Sequence, residues 1–206
     1  MKNVLLKLLM VFGVASALIP SFAQAGDTAA PAGIGAPIDA VRTTVDEVVK
    51  VSVSLSGDAN KTTRREKLRA IIEPRFDFVE MAKRSLGAAW LKMTPKQQDD
   101  FVVVFSSLLA RTYLERIETV EEKMVSTDSE QVAYPKALVK TSVHRKGDVF
   151  PLDYRLHYSE NAWKVYDVII ENIGLVSNYR NEFSGIIRKD GVDGLITRLQ
   201  EKENKH

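Results

Sequence analysis

Between Val139 and Ile169 the chain alternates apolar and polar residues with a period of two, and this alternation limits the possible folds more than any other feature. Val139, Thr141 and Val143 alternate with Lys140, Ser142 and His144, and Phe150, Leu152, Tyr154, Leu156 and Tyr158 do so more regularly. Gly147-Asp148 has the composition of a two-residue hairpin turn, which would set Val143 opposite Leu152, Thr141 opposite Tyr154 and Val139 opposite Leu156. A second turn at Glu160-Asn161 would set Trp163 opposite Tyr158, Val165 opposite Leu156, Asp167 opposite Tyr154 and Ile169 opposite Leu152. The strands then share one apolar face, and an earlier strand is expected within 123–134. An antiparallel sheet with one apolar face has to be covered, so the fold class is α+β with helices gathered over the sheet.

The covering helices are legible on both sides of the strands. Ile38, Val41, Val45, Val48, Ser52 and Leu55 keep helical spacing, and Gly57 is placed to end that helix. Leu68, Ile71 and Ile72 mark a shorter one stopped by Pro74. Asp77-Phe78-Val79-Glu80 has the spacing of a capping box, with Phe76 and Met81 as its staple and Gly87 as the exit from a helix reaching Leu86. Thr94-Pro95-Lys96-Gln97 repeats that logic, opening a helix whose Phe101, Phe105, Leu109, Tyr113 and Ile117 form one ridge. After the strands, Tyr179, Phe183, Ile186 and Ile187 make a stripe ended by Gly191, and Val192, Leu195, Ile196 and Leu199 make another.

The first 25 residues read as a secretory signal. Lys2 and Lys7 precede an uncharged apolar run too short to span a bilayer, Pro20 breaks it, and Ala23-Gln24-Ala25 supplies the small residues for cleavage after Ala25. The alternative is an uncleaved anchor. Residues 26–37 form a Gly/Ala/Pro-rich leader, 38–202 a single domain and 203–206 a charged tail. There is no cysteine, which excludes a lipidated cysteine and a disulfide scaffold. Removing Lys2 and Lys7 from 29 basic residues leaves 27 against 27 acidic ones, so the processed chain is neutral. It carries no basic run to bind a nucleic acid, and with no exposed apolar run it reads as a monomer.

Catalytic signatures are sparse. There is no H-E-x-x-H, no G-x-S-x-G and no phosphate-cradling glycine loop, and His144, His157 and His206 do not converge on a metal site. The exception is Asp167, which the expected register places on the apolar face beside Tyr154 and Thr141. A buried carboxylate is usually satisfied by a neighbour, here a hydroxyl; the sharper alternative is a pocket in which Asp167 and Tyr154 act as base and acid.

At this point the residues resemble a known family. Phe76-Asp77-Phe78, Met81-Ala82, Ser85-Leu86-Gly87, Trp90, Thr94-Pro95, Gln98 and Phe101 follow the signature of the MlaC, or toluene-tolerance, family. The C-terminal half resembles it too, from Trp163-Lys164-Val165-Tyr166-Asp167-Val168 through Ile170-Glu171, Leu175-Val176, Asn178-Tyr179-Arg180 and Phe183 to the 191–199 stretch. The resemblance covers 38–202. One departure is Asn172, where the family has a glycine directly after the Ile-Glu pair.

The resemblance implies a curved sheet and helices in an NTF2-like cone enclosing an apolar lipid pocket. It implies a periplasmic, cofactor-free, non-enzymatic carrier of phospholipid between an outer-membrane lipoprotein–porin complex and an inner-membrane MCE-type ABC transporter, with a hopanoid-type lipid as the alternative cargo. The acyl chains are then expected between the sheet and the long helix. The lining candidates are Phe105, Leu109, Val139, Val143, Leu152, Tyr154, Leu156, Val165 and Ile169, with Leu86, Trp90, Tyr179 and Phe183 at the sides. Each also suits an ordinary core. Arg84 and Arg180 are either headgroup contacts or solvated surface residues.

Overall fold

The computed structural model describes residues 30–203, so the signal, its cleavage site, part of the leader and the end of the tail lie outside the described residues. Five helices and five strands follow one another as α1 (Pro37–Ser54), α2 (Lys61–Ile72), α3 (Phe78–Leu86), α4 (Pro95–Ile117), β1 (Val125–Ala133), β2 (Lys136–Arg145), β3 (Asp148–Ser159), β4 (Ala162–Ile170), β5 (Ile173–Gly174) and α5 (Leu175–Glu203). The strands form one sheet in the order β1-β2-β3-β4-β5, every neighbouring pair antiparallel. This is the α+β arrangement that the alternation requires.

Local chemistry sets the starts of α3 and α4. Thr94 accepts from the Gln97 N–H while the Gln97 side chain accepts from the Thr94 N–H at 2.9 Å, a complete capping box that starts α4. At α3 only half of the expected box forms. Asp77 Oδ1 accepts from the Glu80 N–H at 2.8 Å, but the Glu80 carboxylate turns to Arg84 at 2.6 Å. An ion pair one turn along the same helix outcompetes the backbone N–H. α5 is broken at Gly191, whose φ of 71° separates two helical stretches, as the two apolar stripes suggested.

Two details of register differ from the sequence expectation. The β2–β3 loop is Lys146-Gly147, both at positive φ, and Arg145 pairs with Asp148. A two-residue loop of this type needs positive φ at both positions, and here the glycine takes the second. The slip is two residues, so Val139 meets Tyr154 and Val143 meets Phe150, yet each side chain keeps its face. In the β3–β4 pair the turn at Glu160-Asn161 forms as expected and Leu156 meets Val165, but Arg155 then meets Asp167, leaving Tyr166 as an extra residue. Beyond this bulge every β4 side chain is one position out of step. Val168 faces with Tyr154, and Ile169 is across from Asp153.

Two apolar clusters lie on either side of this sheet and a third holds the helical end. Phe101, Phe105, Phe183, Met81 and Leu195 are fully buried among α3, α4 and α5. Val139, Leu156, Val165 and Val168 are buried against α1 and the start of α5. Val48 of α1, Leu68 of α2 and Leu114 of α4 make the third. Beside it, Glu118 caps α4 with one oxygen 2.9 Å from Arg64 and the other on Arg65. Arg64 also donates to the carbonyls of Leu55 at 2.6 Å and Gly57 at 2.9 Å, so one guanidinium joins the exits of α1 and α4 to the start of α2.

Burial alone would raise the Glu118 pKa, but the hydrogen bonds and charges of Arg65 and Arg64 outweigh it and hold the carboxyl below 4.5. A carboxyl depressed in the folded state stabilises above its unfolded pKa, and the contribution is lost as pH falls through the lower folded value. Glu118→Gln is therefore expected to cost about 3 kcal/mol and to lower Tm by roughly 6–12 °C, since it removes the buried carboxylate that neutralises Arg64 and Arg65. The variant should also lose stability less steeply than the parent below about pH 4.5 in a pH series of thermal melts.

Candidate functional site

The apolar face of the sheet is covered by α1. The long helix α4 packs instead on α3 and α5, through Phe101, Phe105 and Leu109, and reaches the sheet cluster through Tyr113. The expected placement of a pocket between sheet and long helix is corrected accordingly. Both helices carry an apolar stripe, and α1 docks on the sheet because its first turn is fastened there. Glu130 of β1 accepts from the Ile38 N–H at 2.7 Å, a carboxylate on a helix N-terminus. Trp163 Nε1 donates to Gly35 O at 2.8 Å, and Arg42 Nε donates to Thr127 Oγ1 at 3.2 Å. The far end of α1 is held by Arg64 and by Ser52, which donates to Ile117 O at 3.4 Å.

Beside the first of these fastenings lies an apolar crevice of about 40 Å³. Its helix wall is Ala40, Val41, Thr44 and Val45, and its sheet wall is Tyr154, Leu156, Trp163 and Val165, with Arg75 and Phe76 closing it. The small helix side chains follow the one-face spacing of α1. Tyr154 keeps some surface open to the crevice, yet burial pushes its phenol up to about 12, so it is neutral at physiological pH.

The thirteen candidate lining residues are divided between the two clusters rather than gathered round one cavity. Val139, Leu152, Tyr154, Leu156 and Val165 face α1. Leu86, Trp90, Phe105, Leu109, Tyr179 and Phe183 sit in the helical cluster. There Phe105 lies 5.3 Å from Tyr179 and 5.6 Å from Phe183 in edge contacts, and Tyr179 stacks on Phe183 at 5.3 Å. That half is filled by its own rings. Val143 and Ile169 are half-buried and belong to neither cluster, Ile169 because the bulge turns it away. Phe76 packs against both clusters, as does Tyr113; neither was among the candidates, although Phe76 opens the Phe-Asp-Phe run.

The polar candidates are committed to internal partners. Arg84 lies 4.3 Å over the Tyr166 ring and 2.6 Å from Glu80. Arg180 donates to the Arg84 carbonyl at 3.0 Å and passes Gly87 so closely that a Cβ there would be 3.1 Å from its Nη2. Asp167 is 3 % exposed, and its partners are not the hydroxyls expected. Its Oδ2 accepts from Arg155 Nη1 at 2.9 Å and its Oδ1 from the Val176 N–H at 3.0 Å, at the start of α5. The bulge sets it opposite Arg155 rather than Tyr154, so the base–acid pair is not brought together. Thr141, the other expected neighbour, donates to the Leu152 carbonyl. Gly174 admits the carboxylate: a Cβ would lie 3.0 Å from Asp167 Oδ2. The turn before it is made by Glu171 and Asn172, both at positive φ, so asparagine takes a conformation otherwise suited to glycine.

With this geometry in view, residues 42–201 match the MlaC protein family. The intermembrane phospholipid transport system binding protein MlaC of Haemophilus influenzae is 21% identical over 148 residues, 67% of this chain and 69% of that one. The toluene tolerance protein ttg2D of Pseudomonas putida is 25% identical over 169 residues, 75% of this chain and 77% of that one. A phospholipid-binding protein from Ralstonia solanacearum, solved in complex with a phospholipid, superimposes with a TM-score of 0.74 at 31% identity, covering 83% of this chain and 98% of that one.

Asp167 tests how far the site is structural. Asp167→Asn keeps an acceptor for the Val176 N–H and should cost about 1 kcal/mol. Asp167→Ala strands the buried Val176 N–H and should cost roughly 2–3 kcal/mol. Urea unfolding curves measure the difference.

Proposed function

The chain belongs to the MlaC family, and on that premise we propose that it is a phospholipid carrier, working in the periplasm between the outer membrane and an inner-membrane MCE-type ABC transporter. The observation that carries this reading is the likeness to the phospholipid-bound Ralstonia protein, which extends over nearly all of that protein at 31% identity. The apolar crevice between α1 and the sheet supports it. Among the described residues no helix is long and apolar enough to cross a membrane.

Physical chemistry supplies the need. A two-chain lipid with about thirty buried methylenes loses on the order of 25 kcal/mol when drawn into water, at about 0.8 kcal/mol each. Free diffusion across an aqueous gap is therefore negligible, and a carrier has to offer an apolar lining. Transfer from one apolar environment to another is an exchange of similar free energies, so the carrier needs no nucleotide of its own. Its membrane partners set the direction.

The crevice holds about one water as it stands, whereas ligand cavities run to ~300–1,000 Å³. Loading therefore requires the walls to part, with Val139, Leu152, Tyr154, Leu156 and Val165 as the sheet side of the enlarged pocket. Protein purified from cells without detergent is expected to release phospholipid on solvent extraction, at about one lipid per chain by mass spectrometry. The delipidated protein should take up labelled lipid again. An extract without lipid, with no re-uptake, would overturn the proposal, and a polycyclic lipid in the extract would keep the carrier but change its cargo.

A further inference from the structure

Arg75 lines two cavities at once. On its inner side is the apolar crevice under α1, and on its outer side is an open cleft of about 430 Å³ between α1 and α2 that also holds Glu47, Lys50, Val51, Ile71 and Pro74. A charged cleft thus adjoins an apolar slot, with one guanidinium at the junction. An amphipathic ligand has the same order of parts: a charged headgroup, then hydrocarbon.

The cations of the cleft are loosely held. Arg64, Arg84 and Arg155 are held by carboxylates at 2.6–2.9 Å. Arg75 has Glu47 at 3.8 Å, both side chains being more than 40 % exposed. Lys50 forms no ion pair among the described residues. Two cations against one carboxylate leave the cleft net positive, and a guanidinium in that position can take a phosphate in a two-pronged hydrogen bond.

We infer that the cleft between α1 and α2 is the headgroup site of the bound phospholipid, with Arg75 and Lys50 on the phosphate and the acyl chains running past Arg75 beneath the middle of α1. This rests on the carrier reading and gives it an orientation. Arg84 and Arg180, tied to Glu80, Tyr166 and the α3 backbone, have no part in it. Glu47 has to release Arg75 when the phosphate arrives, which the long and exposed pair allows.

The test uses delipidated full-length mature protein and two fluorescent probes with identical acyl chains, phosphatidylglycerol and the uncharged diacylglycerol. The double substitution Arg75→Gln with Lys50→Gln is expected to weaken phosphatidylglycerol binding about ten-fold or more and to leave diacylglycerol unchanged. Arg188→Gln, the loss of an exposed charge on α5, should change neither. In parallel, a phosphatidylglycerol carrying a photoreactive group at the chain terminus should label peptides of α1 and of β3–β4. The inference is overturned if the double variant binds phosphatidylglycerol like the parent, if it loses both probes equally, or if the label is confined to α3, α4 and α5. A parent protein that binds neither probe would instead overturn the carrier reading.

Discussion

The extra residue in β4 decides how the two halves of the interior are joined. Up to Val165 the strand alternates between the α1 side and the opposite side; at Tyr166 the count slips, and Tyr166 and Asp167 both turn toward α3 and α5. Tyr166 enters the helical cluster and carries Arg84 on its ring, while Asp167 holds the first turn of α5. Val165, at the same point, gives its carbonyl to the Asp77 N–H at 2.9 Å, and Asp77 both caps α3 and lies 2.9 Å from His157. A regular strand would have put a carboxylate on the apolar face and left the start of α5 uncapped. The bulge removes both problems at once, and Gly174 provides the room.

What results is an interior with unequal halves. The helical cluster is closed by interlocking rings, and opening it would separate large side chains worth about 1.5–3 kcal/mol each. The sheet half is closed on the α1 side by alanine, valine and threonine, whose apolar areas are smaller than those of the rings. The polar ties of α1 are on Glu130, Trp163 and Thr127 over its first two turns and on Arg64 and Ser52 at the finish. From Thr44 to Val51 it has none to the sheet among the described residues. A helix fastened at both ends over a weakly filled seam can yield in the middle without leaving its place, which is what a cavity that alternately fills and empties requires.

Much of this was legible in the sequence, and the exceptions have physical reasons. The side-chain period of two survives a register shift of two, so the apolar face is readable although the β2–β3 turn falls one residue earlier than its composition suggests. The Thr94 box was readable because all of its partners lie within four residues. The bulge was not, because nothing between Val165 and Asp167 departs from a strand-forming composition; the slip is enforced by Asp77, Arg155 and Val176, which are remote in sequence. The identity of the helix over the sheet was lost for a similar reason. The α4 ridge is the more apolar, but α1 is placed by Glu130, Thr127 and Trp163, and no periodicity reports those ties. Arg75 carries no sequence signal, being a single cation after a helix-stopping proline. Only the convergence of α1, α2 and the sheet gives it a position.

The same asymmetry bears on how a lipid would leave. Removing the chains into water is prohibited by their hydrocarbon, so release has to occur with the opened seam against another apolar surface. In the proposed orientation the phosphate would meet solvent first, because the cleft that holds Arg75 and Lys50 is the larger and more open of the two cavities. An acceptor with its own cations could therefore compete for the phosphate before the chains move, and Glu47 is placed to recover Arg75 as it goes. Each step then exchanges one partner for another of the same chemistry: carboxylate for phosphate at the mouth, apolar wall for apolar wall within. A carrier built this way would need only the small difference between those pairs to turn round, and under the proposed function its direction would be set by which membrane partner offers the better exchange.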